Sequence, residues 1–142
     1  GCVMANVQDE VMDLILDKYA ALGISTDRNR DSDNAIMEGQ CPIVSASWGG
    51  SLVEKPDSCS TTRHRATVIV DHWATTVAGA LDMLNRAAGA FEIDHDLGGK
   101  LQLIQVTNVG GDEAFGADIG SIPMTLEVLF YTQRGNWTAL AF

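Results

Sequence analysis

The side chains with the most chemistry to offer are three cysteines, Cys2, Cys41 and Cys59, and three histidines, His64, His72 and His95. A cysteine beside a histidine makes a nucleophile–base pair, because the imidazole draws off the thiol proton. Cys59 or Cys41 with one of the histidines would form such a pair, and a small cytosolic Cys/His enzyme using Cys59 or His72 is the reading from another class. Nothing in the spacing brings them together, and a buried free cysteine is more often inert packing. An activated Cys59 would alkylate fast below about pH 7, which is the assay for that reading. Asp71 and His72 are strand neighbours whose side chains point to opposite faces, so they form no direct dyad. Asp94-His95-Asp96 reads as a solvated loop. Neither His-x-x-x-His nor Cys-x-x-Cys occurs, so zinc lacks a ligand pattern. The run from Asp27 to Asp33 is acidic, but an EF-hand loop starting at Asp27 would need Gly at its sixth place and holds Ser32 there. The Gly-rich segment at residues 110–121 lacks the Lys-Ser/Thr of a phosphate loop. The expectation is therefore a chain with no catalytic site, no cofactor and no metal.

Composition narrows the partners. The 142 residues fit one domain spanning residues 1–142. The net charge is −10, and the excess acid is spread along the chain rather than gathered in a tail. Such a surface repels phosphate backbones and anionic membranes. No apolar run approaches the ~20 residues that span a bilayer. Three widely spaced cysteines make no disulfide framework, which suits a reducing compartment.

The elements that must position any site follow from periodicity. Residues 6–22 form an amphipathic helix with Val7, Val11, Leu14, Ile15, Lys18 and Leu22 on one stripe, Asn6 as N-cap and Gly23 as stop. A polar linker follows. Pro42 opens a strand in which Val44 and Trp48 face the core. A second strand at residues 65–73 puts Ala66, Val68 and Val70 on one face and Thr67, Ile69 and Asp71 on the other. Between them lies a long hairpin loop near residues 49–63. A second helix at residues 75–88 carries Val77, Leu81, Leu84 and Ala88 on its stripe, with Gly89 as its end. A strand at residues 101–109, the Gly-rich loop near 110–121 and a strand at 122–132 complete the order. The fold class is α/β of the α+β kind. The order α-β-β-α-β-β predicts a four-stranded, mostly antiparallel sheet with two helices on one face.

This order and several segments resemble the tail terminator (tail completion) proteins of long-tailed bacteriophages. The segments are Cys41-Pro42-Ile43-Val44-Ser45-Ala46-Ser47-Trp48, Ala66-Thr67-Val68-Ile69-Val70, and Met124-Thr125-Leu126-Glu127-Val128-Leu129-Phe130-Tyr131-Thr132 followed by Trp137. The likeness runs over about residues 6–137. It implies a structural virion protein at the head-proximal end of the tail, assembled in the host cytoplasm. Such proteins form a hexameric ring that caps the tail tube, stops its polymerisation and joins it to the head–tail connector. The implied partners are other copies of the chain, the tail tube protein and the connector protein. DNA passes the channel without specific binding, and no membrane is involved. Six copies at −10 would carry about −60 per ring before counterions screen it, which lets DNA slide rather than stick. A head-completion or minor tail protein is the neighbouring alternative.

Contacts with partners would fall on apolar residues in polar loops. Leu52 and Val53, with Lys55, mark the hairpin tip. Phe115 marks the Gly-rich loop and Trp137 the tail. The competing expectation is that the apolar ones tuck back onto their own domain.

Overall fold

The computed structural model describes residues 6–28, 36–54, 60–111, 115–116 and 118–141. Helix α1 spans Val7–Ala21. Asn6 caps it, its side-chain oxygen accepting from the Asp9 amide at 2.7 Å. Asp9 and Glu10 stand in the first turn, where the helix dipole favours negative charge. The buried residues are Val7, Val11, Met12, Ile15, Leu16 and Tyr19. The stripe is thus wider than periodicity suggested and leaves Lys18 at its rim. There the ammonium meets the Asp94 carboxylate at 3.1 Å. The width has a cause: α1 packs on the sheet and also touches helix α2, so two surfaces bury it.

Helix α2 spans Val77–Ile93, capped by Thr76, whose hydroxyl accepts from the Gly79 amide at 3.1 Å. The sequence predicts a stop at Gly89, but the helix runs through it for another turn. The reason is Phe91, which is 1% exposed in the core. Burying a phenyl ring is worth about 1.5–3 kcal/mol, more than the ~1 kcal/mol a mid-helix glycine costs. A Cβ at Gly89 would meet nothing within 4 Å. Gly89→Ala should therefore stabilise the protein by about 0.5–1 kcal/mol, read as a higher urea midpoint at unchanged slope.

The strands are β1 Thr26–Asp27, β2 Ile43–Val53, β3 Thr61–Ala74, β4 Leu103–Val109, β5 Gly120–Gln133 and β6 Asn136–Leu140. They form one six-stranded sheet in the order β1-β2-β3-β5-β4, with β6 paired to the end of β5. The α+β class holds, while the four-stranded sheet expected from the sequence gains two strands. One is β1, two residues long and parallel to β2. A strand that short has no periodicity to read. The other is β6, which folds back across the Arg134-Gly135 turn with Gly135 at φ +85°. Apart from β1–β2, every pairing is antiparallel.

Even-numbered residues of β3 and β5 form the face on which both helices pack. Ala66, Val68, Val70, Met124, Leu126, Val128 and Phe130 are all buried there. The opposite face carries the charges of the two inner strands. Glu54 binds Arg63 at 3.0 Å and Arg65 at 2.5 Å, and Arg65 also pairs with Glu127. Among the described residues no helix is long and apolar enough to cross a membrane.

Candidate partner interface

The hairpin predicted as a long loop is mostly sheet. Pairing between β2 and β3 continues to Val53 opposite His64, and the Glu54 amide still donates to the Arg63 carbonyl at 3.0 Å. A bulge interrupts it, with Gly49 and Gly50 lying between the pairs Trp48–Val68 and Ser51–Ala66. Both glycines suit their places. Gly50 sits at φ +101°, and a Cβ on Gly49 would press on Thr67 at 3.1 Å. The bulge reverses which face each later residue of β2 serves. Leu52 therefore lies opposite Arg65 on the charged face, and Val53 lies opposite His64 on the helix-side face.

Leu52 is 68% exposed and Val53 53%, so neither tucks back onto the body. Lys55 lies outside the described residues. Trp137, on β6, is 48% exposed, and its ring stands edge-on to His64 with centroids 4.6 Å apart. The His64 ring in turn stacks on Phe130 at 4.8 Å and shares a 2.9 Å hydrogen bond with the Thr132 hydroxyl. Burial pushes the His64 pKa down, so the ring behaves as a neutral aromatic layer under Trp137. Val53 and Trp137 thus flank one buried histidine at the hairpin end of the sheet. Phe115 is different: it is half-buried and packs against the core. A Cβ at Gly120 would overlap it, so the glycine makes room for the ring. Sequence reasoning missed Ile93, 87% exposed at the end of α2, because it placed that residue beyond the helix.

The residues suggested for catalysis are occupied structurally. His72 is fully buried. Its Nδ1–H donates to the Ile122 carbonyl at 2.9 Å, which leaves Nε2 to accept from the Tyr19 hydroxyl at 2.6 Å. Burial drives its pKa from 6.5 to about 4, and burial also holds the Tyr19 phenol protonated. Asp71 points to the other face, as strand geometry requires, and burial raises its pKa. The Cys41 thiol contacts the Met37 carbonyl at 3.7 Å, and burial with the Glu38 charge pushes its pKa up, away from thiolate reactivity. Cys59 and Cys2 lie outside the described residues, as does most of the acidic run from Asp27 to Asp33. In the Asp94-His95-Asp96 loop, Asp94 accepts from the Gly98 amide and pairs with Lys18, and both lower its pKa. Among the described residues no three His, Cys, Asp or Glu side chains converge as a metal site.

Among the described residues the arrangement offers apolar contact and strand pairing. No protein-family model matches the chain, and no curated protein matches it.

Proposed function

We propose that the protein is a structural subunit of a bacteriophage tail, a tail-terminator-like chain that closes into a hexameric ring at the head-proximal end of the tube. The observation that carries this reading is the hairpin arm formed by β2 and β3. It presents Leu52 and Val53 to solvent from opposite faces of a chain whose net charge is −10. Exposed aliphatic residues on a rigid strand suit a surface that another protein covers. The order of the longer elements, helix, two strands, helix, two strands, supports the same reading. In this role the ring would stop tube growth by covering its end, and would offer its other side to the connector.

Native mass spectrometry over a concentration series, with negative-stain imaging of the same samples, tests the proposal. Closed rings with a central hole are the expected result, and a monomer at every concentration contradicts it. Leu52→Asp with Val53→Asp should leave the circular dichroism spectrum unchanged while ring formation, or binding to tube ends, is lost. Both side chains are more than half exposed, so the fold does not depend on them. Loss of the folded spectrum would instead assign them to the core.

A further inference from the structure

The two edges of the main sheet are unlike its interior. The eleven residues of β2 and the seven of β4 carry no charged side chain. The inner strands do: β3 holds Arg63, Arg65 and Asp71, and β5 holds Glu127. Proteins ordinarily place charges on edges, because an open edge is a template for another strand. Here the usual distribution is inverted, in a chain where 20% of residues are charged.

Both edges are also open among the described residues. Strand β1 covers β2 only at Val44 and Ser45, so residues 46–53 have no described strand on the side away from β3. On the far side, the Ile104 amide donates to the His95 carbonyl, and β4 has no neighbour beyond that point. The free stretches are residues 46–53 and 105–109, so the shorter β4 stretch sets how many residues can pair. Each edge contains one bulge, between Trp48 and Ser51 and between Val106 and Asn108. Bulges make indiscriminate stacking unfavourable and fix where a partner strand fits. Direction agrees as well. Strands β2, β3, β5 and β4 alternate in sense, so β2 and β4 run opposite ways. A second copy added by continuing the sheet would bring its β2 against this β4 in antiparallel pairing.

We infer that the occupant of each edge is a second copy of this chain, β2 of one pairing head-to-tail with β4 of the next. The contact is heterologous: every copy uses two different edges, and such contacts close into rings when the rotation allows. The inference rests on the ring reading above and specifies its interface.

A mixing experiment tests it. One variant blocks the β2 edge with Ser47→Lys and Ser51→Lys, and another blocks the β4 edge with Gln105→Lys and Asn108→Lys. All four side chains are exposed, and circular dichroism with thermal melting verifies each fold. If the β2 variant fails to fold, Ala46→Pro replaces it. The Val44 amide donates towards β1, and alternation along a strand turns the Ala46 amide the same way, out of the β2–β3 ladder. Each blocked variant alone should remain monomeric at concentrations where the wild type assembles, with the midpoint raised by more than about tenfold. The equimolar mixture should give a one-to-one dimer and nothing larger, since it holds a single compatible pair of edges. Amide exchange in the wild-type assembly should slow in peptides covering residues 46–53 and 105–109. If either blocked variant assembles as the wild type does, the edge contact is wrong and the ring reading stands. If one variant alone dimerises, or if the mixture stays monomeric, head-to-tail pairing is wrong. A wild type that never leaves the monomer overturns both readings.

Discussion

Phe91→Ala should destabilise the protein by about 3–5 kcal/mol, the range for deleting a buried phenyl ring when its surroundings relax only in part. The ring is 1% exposed and meets Tyr19 edge-on, with centroids 5.9 Å apart. It therefore joins the last turn of α2 to the middle of the core. Against a total stability that in domains of this size is about 5–15 kcal/mol, the loss is large. Urea unfolding of both proteins measures it. A cost below about 1 kcal/mol would mean that the helix ends at Gly89 and that the ring has left the core.

The second large effect is a dependence on acid. In the fold His72 stays neutral until about pH 4, whereas in the unfolded chain it takes up its proton near 6.5. Between those values the unfolded state binds more protons, so stability falls as pH is lowered from about 6.5 to about 4 and levels off below. The ceiling from this one group is about 3 kcal/mol. His64, also depressed by burial, adds loss of the same sign. Asp71 opposes them at the acid end, because its raised pKa lets the folded state take up a proton first. The phenol of Tyr19, the titratable group bonded to His72, keeps its proton throughout. Urea midpoints measured from pH 7.5 down to 3.5 test this. A flat profile would show that His72 carries its proton inside the fold and that the bond from Tyr19 to Nε2 is not made.

The first helix and the parity of the inner strands were legible because each rests on a long repeat. Asn6 before an apolar stripe, and Ala66, Val68 and Val70 alternating with Thr67, Ile69 and Asp71, leave little choice. What tertiary contact decides was hidden. Gly89 looks like a stop until Phe91 is known to have a core to enter. Strand β6 was hidden too, because Asn136–Leu140 has only one buried residue, Leu140, to mark it as a strand. Of the candidate contact residues, Leu52, Val53 and Trp137 are exposed, and Phe115 is half-buried against the body. That Leu52 and Val53 lie on different faces from Trp48's pattern required the bulge at Gly49-Gly50. That bulge lies opposite Thr67 in the facing strand, which no local pattern in β2 reveals. No local rule joins Trp137 to His64, since β6 must first fold back along β5.

The link between the Leu140 amide and the Glu10 carboxylate, 3.2 Å long, bears on when the molecule becomes itself. Helix α1 is synthesised before its partners β1, β2, α2 and β6, and 130 residues separate Glu10 from Leu140. A fifteen-residue helix is marginal alone in water. So α1 must wait for β6 to complete its packing, and topology of this non-local kind folds slowly. During that wait the two uncharged strands are already exposed, at a time when neighbouring nascent chains offer the same surfaces. Yield of the native subunit should therefore fall as synthesis rate and temperature rise, with slow, cool expression favouring folding before encounter.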